Sequence, residues 1–267
     1  MPVLTEAEVT GNARLSDVLH WITFRSPEIA GRATAGQFVH LVNSESQDPL
    51  LRRPYSLSAI DREGGEAAIL YHVVGRGSDW LADRAPGDRL DALGPLGSSF
   101  KIEPGARHLL MVGGGIGMGP LVALAASAEA QEKECVLLNG ARTAAGTVPP
   151  EFIPISAELH VATDDGSAGE MGTVVDLLPR WFGWCDQVFA CGPNAMLQAL
   201  EGAVARMEPR RSRRRKPVQM ALEARMACGM GVCYSCVVPT VKGPKRVCTE
   251  GPVFDMRELR WDWESGI

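Results

Sequence analysis

Four cysteines near the end of the sequence carry its most specific chemistry. Cys228 and Cys233 are separated by four residues, Cys233 and Cys236 by two, and Cys248 follows after eleven more. Thiolates bind soft metal ions, and a C-x4-C-x2-C run with a distant fourth cysteine is the plant-ferredoxin spacing for a [2Fe–2S] cluster. Three ligands on one short loop demand sharp bends, which Gly229 and Gly231 permit through positive φ. Structural zinc is the alternative, because four cysteines also make common zinc sites. Zinc ribbons, however, more often carry two separated C-x2-C knuckles, and this chain has one such pair and two single cysteines. Cys135, Cys185 and Cys191 lie outside the spacing, and the first two read as small buried residues. An odd total of seven argues against a disulfide framework.

A second group of residues suits nucleotides. The apolar run Leu109–Val112 enters Gly113-Gly114-Gly115-Ile116-Gly117-Met118-Gly119, then Pro120 and an alanine-rich stretch. A glycine-rich turn between strand and helix lets backbone approach a pyrophosphate, and the helix N-terminus favours its charge. The loop is not G-x-G-x-x-G, and Asn139-Gly140-Ala141-Arg142 stands where an acidic residue would hold a ribose, so a plain tight turn stays open. Cys191-Gly192-Pro193 follows another apolar run, as a ligand-binding or an ordinary turn. In the first half, Arg53-Pro54-Tyr55-Ser56 offers a guanidinium for phosphate and an aromatic ring for a flavin. Gly77 and Ser78 offer N–H groups at the start of a short helix, although a strand and a turn would look the same.

The elements that position these groups change character along the chain. Val18–Phe24, Gln37–Val42, Tyr55–Ala59, Ala67–Val74 and Arg89–Leu93 read as short strands without a long helix, which predicts an antiparallel barrel or sandwich. After a break at Pro104-Gly105, five apolar runs from Leu109–Val112 to Val218–Leu222 alternate with helical segments, including Pro120–Gln131, Thr173–Trp181 and Asn194–Met207. That alternation predicts a parallel sheet with helices on its faces. The remainder is too short to bury its own core and needs a metal or a neighbour. The expected class is α+β multidomain: residues 1–102, 103–222 and 223–267.

Bulk properties exclude some functions. A net charge of −5 gives no reason to expect a nucleic-acid partner, and the basic run Arg210–Lys216 reads as a solvated loop. The uncharged stretch Leu109–Ala128 has membrane-spanning length, but its glycines and proline suit a turn better. The first twenty residues lack a secretory pattern, so a cytoplasmic protein without membrane contact is expected.

Taken together, the R-P-Y-S, G-R-G-S, G-G-G-I-G-M-G-P, C-G-P and cysteine elements resemble the ferredoxin-NADP reductase superfamily. More closely, the chain resembles the electron-transfer subunits of type B dihydroorotate dehydrogenase over nearly its whole length, most specifically from Leu222 to Phe254. The resemblance implies an FAD-binding barrel, with FAD held by Arg53, Pro54, Tyr55, Ser56, Leu70, Tyr71, His72, Gly77 and Ser78. It implies NAD at Gly114, Gly115, Gly117, Cys191, Gly192 and Pro193, and a [2Fe–2S] cluster on Cys228, Cys233, Cys236 and Cys248. It also implies an FMN-containing dihydroorotate dehydrogenase catalytic subunit as partner, two copies of each chain, and a place in pyrimidine biosynthesis. Tyr55, Arg76 and Ser78 depart from the commoner aliphatic, Lys and Thr. Arg142 at the end of a strand leaves NADP open. Two rivals remain: the same cofactors serving a ferredoxin, a sulfur compound or another oxidoreductase, and a zinc-stabilised binding module.

Overall fold

The computed structural model describes residues 1–46, 48–208 and 215–261. Six antiparallel strands close a barrel in the order β1-β2-β5-β4-β3-β6. They are β1 (Val3–Arg14), β2 (Leu19–Arg25), β3 (Phe38–Leu41), β4 (Arg53–Asp61), β5 (Glu66–His72) and β6 (Arg89–Leu96). Side chains alternate between strand faces, and β2 and β5 use both. Ile22, Phe24, Ile69 and Tyr71 fill the barrel interior, whereas Leu19, Trp21, Ala68 and Leu70 join a second core outside it. β1 is absent from the expected strands, because only Ala7 and Val9 of its length are fully buried and Glu6, Glu8 and Gly11 interrupt any apolar signal.

The second sheet is ordered β10-β9-β8-β7-β11-β12-β15. Its parallel strands are β7 (His108–Gly114), β8 (Glu134–Ala141), β9 (Glu158–Thr163), β10 (Glu170–Met171), β11 (Gln187–Cys191) and β12 (Val218–Ala221). Two short helices, α1 (Pro27–Ala30) and α2 (Arg76–Ala82), belong to the barrel. α3 (Met118–Glu129) is buried on nearly every side, because it sits between sheet and barrel. There a Cβ on Gly119 would meet Ser58 Oγ at 2.4 Å. α4 (Val174–Phe182) and α5 (Asn194–Met207) cover the opposite face through Leu177, Leu178, Leu197 and Leu200. The stretch 109–128 therefore divides between a central strand and α3, and among the described residues no helix is long and apolar enough to cross a membrane.

The cysteine-rich segment builds its core by sharing. β13 (Val237–Val238) pairs with β14 (Lys245–Arg246), and β15 (Val253–Asp255) adds antiparallel to β12. Cys236, Val238, Val247, Cys248 and Phe254 pack in one cluster with Phe38 and Leu96 of the barrel and with the α4–α5 layer. Arg210 to Arg214 of the basic run lie outside the described residues. Lys216 is half-buried instead of solvated: its ammonium donates to the carbonyls of Phe182 and Cys185, a favourable place for a cation at the end of α4.

The start of α4 offers a stability test. Asp176 Oδ2 accepts from Thr173 N at 2.9 Å and from Thr173 Oγ1 at 2.7 Å, and these bonds lower its pKa. Asp176→Ala is expected to cost about 1 kcal/mol in denaturant titrations at neutral pH. A depressed carboxyl stabilises above its unfolded pKa of about 3.9 and loses that contribution as pH falls through its lower folded value. Wild type and variant should therefore converge in strong acid.

Candidate functional site

A cavity of about 490 Å³ opens between the barrel and the second sheet, a size typical of cofactor sites. Its barrel wall contains Arg53, Pro54, Tyr55, Ser56, Leu70, Tyr71, His72, Gly77 and Ser78. The facing wall contains Ile116, Gly117, Pro120 and Cys191, and the segment Leu222–Met226 lines it as well. Strand pairing assembles the barrel wall, since β4 lies between β3 and β5 and brings Tyr55 opposite Val39.

The groups on this wall differ in what remains available to a ligand. Arg52 is locked by Asp91 at 2.8 Å, whereas Arg53 donates to the carbonyl of Leu51 at 2.6 Å and meets no carboxylate among the described residues. Tyr55 accepts from Asn43 Nδ2 at 2.6 Å, and burial pushes its phenol up to about 12, so it stays neutral. Tyr71 meets Tyr55 edge-on at 6.1 Å, and its hydroxyl points back to Asn12 Oδ1 at 3.1 Å. Among the described residues His72 Nε2 is buried without a partner, and desolvation lowers its pKa, so the ring offers a polar edge for a bond. Ser78 Oγ is consumed by the turn, accepting from Val74 N and Gly75 N and donating to Gly75 O. The N–H groups of the first turn of α2 therefore remain for an anion. A guanidinium that meets no carboxylate among the described residues, a histidine edge without a partner there and an aromatic wall fit a dinucleotide carrying a planar ring. Asn43, missed in the sequence, also donates to Gly77 O at 2.9 Å and so ties the Tyr55 strand to the Gly77 turn.

The glycine loop and the Cys191 turn meet because β7 and β11 are neighbours, with Gly113 opposite Cys191. Contact is backbone to backbone: a Cβ on Gly117 would lie 2.3 Å from the Cys191 carbonyl oxygen. Gly192 abuts the Gly114 backbone in the same way, and Gly114 packs against the Pro193 ring. Only Gly117 and Cys191 of the expected nucleotide residues reach the cavity wall; Gly114, Gly115, Gly192 and Pro193 shape the turn behind it. The Cys191 thiol is fully buried and its pKa is raised by desolvation, which leaves it inert. The acid missing after β8 stands after β9 instead. Asp164 and Asp165 donate their N–H groups to the carbonyls of Ala141 and Arg142 at 3.1 and 3.3 Å, an adjacency only the sheet creates.

Three of the four cysteines lie on one tight loop and Cys248 returns to it from a later segment. Gly229 and Gly231 adopt φ of +68° and +79°. Cys228 Sγ accepts from Met230 N at 3.4 Å, and Cys233 Sγ lies 3.1 Å from Ser235 Oγ. Hydrogen bonds from Ser235 and then Cys228 hold the exposed Cys233 thiol below its usual range. Cys248 is buried and contacts Cys236; burial first, then the two neighbouring thiols, pushes its pKa up. Thiolates this close cannot all ionise without a compensating cation, which is the donor chemistry of a metal centre. Among the described residues no three His, Cys, Asp or Glu side chains converge as one ion would require. Four thiol donors in a C-x4-C-x2-C run with a distant fourth have the spacing of a two-iron cluster.

Comparison with known proteins identifies the family. Residues 223–260 match the iron-sulfur cluster binding domain of dihydroorotate dehydrogenase B. The dihydroorotate dehydrogenase B (NAD(+)) electron transfer subunit of Bacillus caldolyticus is 43% identical over 84% of this chain and 86% of its own. Its counterpart in Desulforamulus reducens is 35% identical over 98% of this chain and 100% of its own. Among solved structures, an NADH-dependent reduced ferredoxin-NADP oxidoreductase studied for flavin-based electron bifurcation superposes with a TM-score of 0.83 at 29% identity, covering 96% of this chain and 90% of that one. The chain belongs to the family of dihydroorotate dehydrogenase B electron transfer subunits.

Proposed function

We propose that the chain moves electrons between the catalytic subunit of a dihydroorotate dehydrogenase and NAD⁺, with residues 1–102 serving FAD, 103–222 NAD and 223–267 the [2Fe–2S] cluster. One observation carries the reading. Leu222–Met226 lines the cavity between barrel and glycine loop and leads within two residues to Cys228, which supports a cluster held beside the flavin and nicotinamide sites.

The bound groups supply interconversion between the electron pair of a nicotinamide and the single electrons of an iron–sulfur cluster. The chain supplies position and charge. Arg53 and the first-turn N–H groups of α2 bind the FAD pyrophosphate, and Tyr55 and His72 hold the flavin edges. Gly117 and Cys191 admit the nicotinamide from the opposite wall, with Gly114, Gly115, Gly192 and Pro193 holding that turn. Cys228, Cys233, Cys236 and Cys248 ligate the irons. Asp164 and Asp165 disfavour the 2′-phosphate of NADP beside Arg142 and favour a ribose hydroxyl. The partner oxidises dihydroorotate on its own FMN, two copies of each chain assemble, and the complex works in the cytoplasm.

Dihydroorotate-dependent NAD⁺ reduction, measured with and without an FMN-containing catalytic subunit, tests this. Full activity of the mixture and none of either chain alone is expected. NADH-driven ferredoxin reduction that needs no second chain would instead identify a reductase. Arg53→Ala should weaken FAD binding to apoprotein roughly 10- to 100-fold in fluorescence titrations, the worth of a charged hydrogen bond, while iron content stays unchanged.

A further inference from the structure

His40 lies in the middle of β3 and is completely buried, yet among the described residues neither ring nitrogen has a partner. Burying both unpaired is costly, and such atoms ordinarily find a bond. Strand pairing fixes the backbone of the residue between Pro54 of β4 and Leu93 of β6. On one side it meets Phe38 edge-on at 5.7 Å, and Phe38, unlike His40, lines the cavity. On the other side it meets the cysteine loop. A Cβ on Gly229 would stand 2.8 Å from His40 Nδ1 and 2.9 Å from Cε1, so the ring edge presses on the residue after Cys228. Leu96, also against Gly229, shares a core with Cys236 and Cys248.

We propose that His40 is the barrel's hydrogen-bond donor to the iron–sulfur cluster, giving a ring N–H to one of its sulfurs. The proposal rests on the assignment of a [2Fe–2S] cluster to the four cysteines. A neutral imidazole has one donor and one acceptor, and the orphaned ring meets the loop at Gly229, which has no side chain to shield it. Hydrogen bonds to sulfur stabilise the more negative, reduced cluster and raise its potential. His40 would thereby set the potential from the flavin-binding side of the molecule.

The test uses the holoprotein. In wild type labelled with ¹⁵N-histidine, pulsed EPR of the reduced cluster should show coupling to a histidine nitrogen. His40→Leu should abolish that coupling and move the cluster midpoint to lower potential in an anaerobic titration, with iron, FAD content and flavin potential unchanged. His40→Gln, which keeps an N–H donor, should restore part of the shift. Absence of nitrogen coupling in wild type would overturn the proposal without any variant, and so would an unmoved midpoint in an iron-replete His40→Leu protein. Wild type lacking iron and an EPR signal altogether would instead reject the cluster assignment.

Discussion

Cys233→Ala protein, purified without oxygen, is expected to keep its fold and FAD while losing its iron. Dihydroorotate-dependent NAD⁺ reduction with the catalytic subunit should fall by more than about 100-fold, since even an outer-shell partner of a metal site is worth roughly 10- to 100-fold. Cys233 is the cleanest of the four positions. Its side chain is exposed, so removing the sulfur opens no cavity, whereas Cys236 and Cys248 are buried in a shared core. Hydrogen bonding keeps its thiol readier to ionise than an ordinary cysteine, and the loop offers no carboxylate or histidine to replace it. Hydride exchange between NADH and the flavin needs no iron, so NADH oxidation by a two-electron dye should persist. Iron and flavin analyses alongside the coupled assay check this, and a full iron complement in the variant would remove the cysteine from the site.

Gly117→Ala should slow NADH oxidation about 100-fold with flavin retained. The added carbon would lie 2.3 Å from the Cys191 carbonyl oxygen, 2.6 Å from the carbonyl carbon and 2.8 Å from Gly192 Cα. All three are backbone atoms, and no rotamer relieves the clash. The loop or the Cys191 turn must shift by about 1 Å, and a displacement of that size at a reacting centre costs on the order of 10² in rate. Gly183→Ala, where an added carbon meets nothing within 4 Å, is the matched control and should leave the rate intact. Stopped-flow reduction of the flavin by NADH measures both. A Gly117→Ala rate close to wild type would mean that nicotinamide does not use this turn.

Much of the site is legible in the sequence because its chemistry is local. Cysteine spacing, the bends at Gly229 and Gly231, and the strand, glycine loop and helix around residues 109–128 depend on neighbouring residues and on short-range φ/ψ preferences. The short apolar runs of β2 and β5, bounded by turn residues, announce strands for the same reason. What escaped the sequence arises from pairing between distant segments. β1 hides behind charged residues and is held by closure against β2 and β6, while β15 joins the sheet through an edge that only β12 supplies. Asn43 matters because barrel closure brings it to Tyr55 and Gly77, and Asp164 because β9 lies beside β8. His40 looks like any strand residue until the cysteine loop folds onto it. Spacing along the chain picks out the candidate ligands; the order of strands, set by burial of both their faces, decided what stands opposite them.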